Sequence, residues 1–279
     1  MKKISRRSFL AAAGLSVAAL ALTACGGSSA STASSVASSV ASSEAASTSA
    51  AAGELATVEA GKLTMATNAA FPPYEMTTDA GEFEGIDIET AQAIADKLGL
   101  ELQIDDMDFD AALLSVQQGK ADIVMAGVTV TDERKAVMDF SDSYATGIQS
   151  IIVPEGSDIA SPDDLAGKKI GTQRGTTGYI YCSDDFGDDN VVAYDDGLTA
   201  VQALNNGQVD AVVIDNAPAQ EFVAANPGLV ILDTSYAEED YAIGMAKGSS
   251  LEDAVNAALK ELKADGTLQS IVDKYITAE

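Results

Sequence analysis

The feature that most limits the fold of this chain is a pattern that occurs twice, 88 residues apart. Residues 117–124 read QQGKADIV and residues 205–212 read NNGQVDAV, so a glycine and an aspartate recur at matching places. Each copy combines a helix end, a glycine that stops the helix, an aspartate turn and an apolar strand. Two lobes built on one plan would produce this repeat, although a common helix-to-strand turn used twice would also do so.

Short apolar runs alternate with helical segments between residues 62 and 275. In the first helix Ile94, Ala95 and Leu98 share a face, and Gly99 follows as its stop. The pattern predicts strands at 62–66, 102–104, 122–126, 150–153, 169–171 and 211–214, and helices at 88–98, 109–118, 197–205, 251–263 and 268–275. It also predicts a short helix capped by Ser161. The alternation is typical of an α/β fold with mainly parallel sheets, which bind ligands where the strands end.

Charge and composition exclude several classes of function. The chain carries a formal charge of −27, so its surface repels phosphate backbones and we expect no nucleic-acid partner. It contains no histidine, which rules out Ser-His-Asp and Cys-His catalysis and removes the commonest metal ligand. We expect no metal, no cofactor and no catalytic residue, although carboxylate-based catalysis is not excluded by the lack of histidine.

The first 54 residues have the pattern of an export signal and a tether. Residues 1–24 join a basic start to an apolar run that is short for a membrane-spanning helix and typical of a signal peptide. Cys25 follows the residues LTA and is the expected lipidation site. Residues 25–54 are rich in Ser and Ala, which predicts a flexible linker. Residues 5–10 resemble a twin-arginine export motif. The alternatives are a buried structural cysteine and an ordinary basic segment.

Several motifs lie in a fixed order along residues 61–279. They are AFPPYE at 70–75, GIDIE at 85–89, TDERK at 131–135, DFSDSY at 139–144, DLAGKKIG at 164–171 and GTTG at 175–178. Each is weak alone, but together they resemble the bacterial extracellular solute-binding proteins of family 3, the polar amino acid type. Thr90 departs from the family pattern, which usually has an apolar residue there.

The resemblance implies an α/β, two-lobed periplasmic-binding-protein-like fold of type II, with two parallel-sheet lobes joined by two crossover strands. We place lobe 1 at residues 61–148 plus 241–279 and lobe 2 at residues 149–240. It further implies the substrate-binding component of an ABC importer, which captures a polar L-amino acid by hinge closure. We expect an extracytoplasmic monomer that is anchored to the cell membrane through lipidated Cys25 and that meets an ABC transporter permease.

The expected site must pair both charges of an amino acid while excluding water. Arg134 offers a planar two-pronged donor to a carboxylate, and it lies in the first turn of a helix that should begin after Thr131. The resemblance implies the same role for Arg134 and adds Gly127 and Thr129 as contacts of the ligand head group. A surface salt bridge is the alternative for Arg134.

In lobe 2 the resemblance implies that Thr177 donates to the same carboxylate and that Asp215 accepts the ammonium. Asp215 also ends a predicted strand, at the edge where such sheets bind ligands. The alternatives are a plain turn at Thr177 and a helix N-cap at Asp215.

Four more residues are expected to form the pocket for the ligand side chain. The resemblance implies that Phe71 packs over the ligand side chain, with Phe109 as the candidate for its other side. Asn68 matches a family position that often holds an acid where the ligand is basic, and Gln173 is a second candidate pocket residue. Core packing is the alternative for both aromatic rings.

Two other functions are compatible with the same fold. One is a ligand sensor for a separate membrane receptor. The other is a cyclohexadienyl dehydratase-like enzyme, for which Glu75 or Asp87 would supply the acid or base. The combination of Arg134, Asp215 and Phe71 favours capture without catalysis.

Overall fold

The computed structural model describes residues 55–276. The predicted signal peptide, Cys25 and the linker lie outside these residues. The strands are β1 (Lys62–Thr67), β2 (Ala70–Phe71), β3 (Glu75–Thr77), β4 (Phe83–Glu84), β5 (Glu101–Asp106), β6 (Ile123–Val124), β7 (Met138–Phe140), β8 (Ala145–Pro154), β9 (Ile170–Gln173), β10 (Val191–Tyr194), β11 (Ala211–Asp215), β12 (Leu229–Ile231), β13 (Ala237–Tyr241) and β14 (Gly244–Ala246). The helices are α1 (Ile86–Leu98), α2 (Phe109–Gln117), α3 (Asp132–Val137), α4 (Thr177–Phe186), α5 (Gly197–Asn205), α6 (Asn216–Ala225), α7 (Glu252–Ala264) and α8 (Thr267–Tyr275).

Two larger sheets organise the chain, and we call the parts around them lobe 1 and lobe 2. The lobe 1 sheet has the order β5-β1-β6-β14-β7, and the lobe 2 sheet has the order β10-β9-β11-β8-β12 with β13 also paired to β8. The chain passes between the lobes along β8 and again after β13, and these two strands pair antiparallel from Ala145–Tyr241 to Gln149–Ala237. The expected two-lobed α/β architecture is therefore confirmed.

Each sheet is mixed, whereas parallel sheets were expected. The strands joined by helices, β5-β1-β6 and β10-β9-β11, are parallel. The strands that enter from the other lobe run the opposite way, with β14 antiparallel to β6 and β8 antiparallel to β11. Parallel neighbouring strands need a long crossover, usually a helix, to connect them. A chain that comes directly from the other lobe has no such crossover, so its strand pairs antiparallel with its neighbour.

The repeated sequence pattern forms the same structure in both lobes. Gly119 and Gly207 follow α2 and α5 with φ angles of 65° and 66°, a left-handed backbone that glycine adopts without strain. Asp122 accepts a hydrogen bond from the Thr64 backbone N–H at 2.8 Å, and Asp210 accepts one from the Lys169 N–H at 2.7 Å. Each aspartate thus ties its helix-to-strand turn to the start of the neighbouring parallel strand.

The short helix expected after Ser161 is a single 3-10 turn, Pro162–Leu165. Ser161 occupies the N-cap position of this turn, as predicted, but its hydroxyl donates to the Asp164 carboxylate at 2.9 Å instead of accepting a backbone N–H. Among the helices of residues 55–276, none is both long and apolar enough to cross a membrane.

Candidate functional site

All nine residues predicted to bind the ligand line one cavity between the two lobes. Its walls are formed by Asn68, Phe71, Glu75, Phe109, Ala126, Gly127, Thr129, Arg134, Gln173, Thr176, Thr177 and Asp215. The space between these walls measures about 310 Å³, including the part that opens to solvent.

Strand topology explains why these residues meet. Asn68 follows β1, Gly127 follows β6, Gln173 ends β9 and Asp215 ends β11. In both lobes the carboxyl ends of the parallel strands face the cleft, which is where open α/β sheets bind ligands. The strand ends therefore indicate which residues line this cavity, and their binding of a ligand stays a prediction.

Arg134 is a buried cation held between the lobes. Its backbone N–H donates to the Thr131 hydroxyl at 3.1 Å, which caps α3. Its Nη1 donates to the Thr129 carbonyl at 2.8 Å and its Nη2 to the Gly175 carbonyl of lobe 2 at 3.1 Å. The guanidinium also lies 5.4 Å from the centre of the Phe109 ring. With 8% of the residue exposed, the surface salt bridge considered for Arg134 is wrong.

Thr129 and Thr177 face each other across the cleft, with their hydroxyl oxygens 3.4 Å apart. Thr177 begins α4, which Thr176 caps by accepting the Tyr179 N–H, so the plain turn considered there is wrong. Both hydroxyls donate to the same oxygen of Glu239, at 3.1 Å from Thr129 and 2.9 Å from Thr177.

Glu239 was missed in the sequence reasoning. It lies on β13, where it is 7% exposed between the exposed residues Glu238 and Asp240. Alternation along AEEDY places Glu239 on the same face as Tyr241. That alternation indicates a strand with Glu239 on its buried face. Three successive acids are unusual in a strand, however, so the sequence did not predict one here.

Asp215 is the buried acid of lobe 2. It accepts hydrogen bonds from the Tyr241 hydroxyl and, at 2.8 Å, from Gln149 Nε2. Burial raises the pKa of Asp215 to about 7, although these two donors oppose the shift. Asp215 occupies the N-cap position of α6, as the alternative had it, but its side chain makes no capping hydrogen bond.

Asn68, Gln173, Phe71 and Phe109 also line the cavity. Gln173 Nε2 donates to Asn68 Oδ1 at 2.8 Å, and Asn68 Nδ2 donates to the Met107 carbonyl at 3.0 Å. Phe71 and Phe109 are 7% and 6% exposed, and each lines the cavity while also packing in a hydrophobic cluster. The alternatives of core packing and pocket wall are therefore both met.

The backbone at Gly127 admits no side chain. Its φ is 55°, and a Cβ there would lie 2.9 Å from the Phe71 ring. Asp87 fixes this loop by accepting the Gly127 N–H at 3.0 Å and the Tyr144 hydroxyl at 2.7 Å. Burial raises the pKa of Asp87 to about 6.

Glu75 lies fully buried at the cavity wall. Burial, and then the nearby Asp87 carboxylate, raise the pKa of Glu75 well above its ordinary value.

Two aromatic contacts join the cavity wall to β13. Phe71 stacks on Tyr74 with ring centres 5.9 Å apart, and Tyr74 meets Tyr241 edge-on at 5.3 Å. Tyr241 is fully buried and also holds Asp215, so one continuous set of side chains connects both lobes to this strand.

Known proteins resemble this chain over most of its length. The L-cystine-binding protein TcyJ of Escherichia coli (strain K12) is 33% identical over 226 residues, covering 79% of this chain and 85% of TcyJ. The arginine-binding extracellular protein ArtP of Bacillus subtilis (strain 168) is 34% identical over 228 residues, covering 78% of this chain and 87% of ArtP. Both relatives are named as binding proteins.

A solved structure agrees with the fold. The amino acid ABC transporter substrate-binding protein AbpA of Streptococcus pneumoniae, bound to L-arginine, superposes with a TM-score of 0.73 at 38% identity. The match covers 77% of this chain and 94% of AbpA. Residues 63–278 match the family described as bacterial extracellular solute-binding proteins, family 3. Because that match spans most of the chain, the protein belongs to this family, as its motifs predicted.

Proposed function

We propose that this protein is the substrate-binding component of an ABC importer and captures a polar L-amino acid between its lobes. One observation carries the proposal: a buried guanidinium, Arg134, and a buried carboxylate, Asp215, line the same cavity from opposite lobes. A ligand with one carboxylate and one ammonium satisfies both groups, whereas a ligand with a single charge leaves one of them unpaired and desolvated. The names of TcyJ, ArtP and AbpA support the same ligand class.

The α-carboxylate is assigned to Arg134, whose fork suits a bidentate anion, with Gly127, Thr129 and Thr177 around it. The ammonium is assigned to Asp215. The side chain then extends between Phe71 and Phe109. Its polar end reaches Asn68 and Gln173, two neutral amides that can each donate and accept, which favours a polar side chain.

Hinge closure is the proposed mechanism. Arg134 already reaches the lobe 2 carbonyl of Gly175, and Gln173 already reaches Asn68 of lobe 1. A ligand held by both lobes favours the closed state by its differential affinity for it. The two strands β8 and β13 are the connection about which the lobes would turn.

The remaining features of the proposal concern place and partners. We infer an extracytoplasmic monomer, tethered to the membrane by a lipid on Cys25, that delivers its ligand to a permease. We further infer that it does not change the ligand chemically, since Arg134 and Asp215 serve to pair charges. Recovery of the bound amino acid unaltered after prolonged incubation would agree with this; a new product would contradict it.

The decisive experiment is a ligand panel on the purified protein. The standard L-amino acids and L-cystine are tested by thermal shift, and positive compounds by calorimetry. At a ligand concentration of 100 times Kd, a single-site ligand should raise the unfolding free energy by about 2.7 kcal/mol. Failure of every compound to shift the melting temperature would refute the proposal.

The Arg134→Ala variant should lose this stabilisation at any accessible ligand concentration. Arg174→Ala is the matched control, because Arg174 pairs with Asp195 at the surface and its side chain is 52% exposed. Arg174→Ala should bind as the unaltered protein does. Equal affinity in the Arg134→Ala and unaltered proteins would show that Arg134 does not bind the ligand.

A further inference from the structure

Asp215 accepts one side-chain hydrogen bond from each of the two strands that cross between the lobes. The Tyr241 hydroxyl of β13 donates to Oδ1 of Asp215, and Gln149 Nε2 of β8 donates to Oδ2 at 2.8 Å. Tyr241 is fully buried, Gln149 is 1% exposed and Asp215 is 8% exposed. The acid assigned to the ligand ammonium is therefore held by the connection between the lobes.

Packing fixes the direction in which the Tyr241 hydroxyl points. The ring covers the Cα of Gly147 so closely that a Cβ there would lie 2.5 Å from it, and Tyr74 meets the ring edge-on at 5.3 Å. On the other strand, Gln149 lies directly opposite Asp215 in the pairing of β8 with β11. Both donors are thus placed by rigid surroundings, which is what a precisely oriented binding group requires.

The protonation of the two donors suits an ionised carboxylate. Burial, and then the Asp215 carboxylate, raise the pKa of Tyr241 well above its ordinary value, so the hydroxyl keeps its proton near neutral pH. The amide N–H of Gln149 can only donate. A carboxyl group that faces two donors is best satisfied as the acceptor-only anion, and this is also the form that pairs with an ammonium.

The other groups around Asp215 include both signs of charge. Besides Tyr241, the titratable side chains whose charges interact with Asp215 are Glu239 of β13, Tyr74 and Glu75 of lobe 1, and Arg134 of α3. Burial and the Glu239 carboxylate raise the pKa of Asp215, whereas the hydrogen bonds from Tyr241 and Gln149 lower it. Tyr241 is the largest of the influences that favour the ionised form.

We propose that Tyr241 and Gln149 are positioning residues for the ligand ammonium, which orient the Asp215 carboxylate and keep it ionised. This inference rests on the proposed function, in which Asp215 accepts the ammonium. Each Asp215 oxygen retains a lone pair after accepting one hydrogen bond, so the ammonium binds without displacing either donor. The alternative is that Tyr241 only fills space between the strands, in which case its hydroxyl affects stability and not the ionisation of Asp215.

The first test follows the ionisation of Asp215 itself, and it needs no ligand. Tyr241→Phe removes only the hydroxyl, and Tyr236→Phe is the matched control, because Tyr236 donates to Asp185 at 2.6 Å away from the cavity. Carboxyl-carbon NMR, assigned with Asp215→Asn, gives the titration midpoint of Asp215. We expect Tyr241→Phe to raise that midpoint by about one pH unit, since a hydrogen bond to a charged group is lost. Gln149→Leu should raise it as well, and Tyr236→Phe should leave it unchanged.

The second test is calorimetry of the same variants with L-glutamine and L-arginine at pH 6 and pH 8.5. Relative to the unaltered protein, Tyr241→Phe should raise Kd about tenfold at pH 6 and less than about twofold at pH 8.5. The difference arises because Asp215 is mostly ionised in both proteins at the higher pH. Tyr236→Phe should bind as the unaltered protein does at both pH values.

Two results would overturn the inference. One is an Asp215 midpoint that Tyr241→Phe leaves in place, and the other is an equal change of Kd at both pH values, which is the result expected of packing alone. Failure of the proposed function is recognised separately. If no amino acid binds the unaltered protein, the capture of an amino acid is refuted, and the NMR midpoint still decides whether Tyr241 controls the ionisation of Asp215.

Discussion

At the scale of single residues, the site depends on how burial raises the pKa of carboxyl groups. Asp215 and Asp87 both have raised pKa values, about 7 and about 6, because each is desolvated. Only Asp215 lines the cavity. An ammonium placed beside it would favour its charged form, so ligand binding and ionisation of Asp215 should be coupled.

Ligand affinity is therefore expected to rise with pH. In the empty protein Asp215 is mostly protonated below about pH 7, and binding there must release that proton. For one such group Kd should fall by about tenfold between pH 6 and pH 8. Calorimetry at each pH, in two buffers of different ionisation enthalpy, gives both Kd and the proton release.

The stability of the empty protein should change in the opposite direction. The native state holds the Asp215 proton up to about pH 7, whereas the unfolded chain loses it near 3.8. The native state therefore binds more protons between these values, and this contribution to stability declines as pH rises through them.

Asp87→Asn should keep the pH dependence of Kd, because Asp87 does not line the cavity. A Kd independent of pH from 6 to 8 would contradict the assignment of Asp215.

At the scale of elements, a short helix presents the main cationic group. Helix α3 has six residues, and Thr131 caps it by accepting the backbone N–H of Arg134. The same cap therefore stabilises the helix and fixes the point from which the guanidinium extends into the cleft.

Thr131→Ala should lower the unfolding free energy by about 1 kcal/mol and also weaken ligand binding, because the cap holds the Arg134 backbone. The control is Asp196→Ala, which removes the cap of α5, where Asp196 accepts the Thr199 N–H at 2.7 Å. Asp196 does not line the cavity. Denaturant unfolding and calorimetry should show a similar loss of stability in both variants and a loss of affinity in Thr131→Ala alone. Equal ligand affinities in Thr131→Ala and the unaltered protein would show that the cap has no effect on ligand binding.

How far the sequence predicts the elements depends on their local signals. The predicted helix at 197–205 agrees with α5 because its apolar spacing and the following glycine are both clear. Strand β8 was predicted at 150–153 but spans Ala145–Pro154, because its first half alternates polar and small residues. Strand β13 was missed, since its acids disfavour strands and its pairing with β8 is a tertiary contact.

The site was easier to predict than its connections. Most of the nine predicted residues lie in family motifs or close to strand ends, Phe109 begins α2, and all nine line the cavity. Gln149, Glu239 and Tyr241 contact cavity-lining residues and were not predicted, because the pairing of two strands distant in sequence places them there. No local pattern encodes that pairing.

At the scale of the whole molecule, the two lobes share a tightly packed connection. Gly147 of β8 lies opposite Glu239 of β13, and the Tyr241 ring covers its Cα. A Cβ on Gly147 would lie 2.5 Å from that ring, so the connection has no room for a methyl group. Since Tyr241 holds Asp215, packing at the connection and geometry at the site are linked.

Gly147→Ala should therefore weaken ligand binding although Gly147 does not line the cavity. The methyl group must push Tyr241 away from Asp215, and overpacking of this kind costs about 1–3 kcal/mol. Thr146→Ala is the control, because Thr146 is an exposed residue of the same strand. Thermal unfolding and calorimetry should show losses of stability and affinity in Gly147→Ala alone. Normal affinity in that variant would show that the connection tolerates displacement of Tyr241.

The Tyr241–Asp215 contact also has an optical consequence. The sequence has eight tyrosines and no tryptophan, so phenol rings dominate the ultraviolet emission of the protein. An excited phenol is a stronger acid than a resting one and readily gives its proton to a neighbouring carboxylate, which dims it. The fluorescence intensity of Tyr241 therefore depends on Asp215, the group assigned to the ammonium. A tryptophan introduced into either lobe would be the sole source of tryptophan emission.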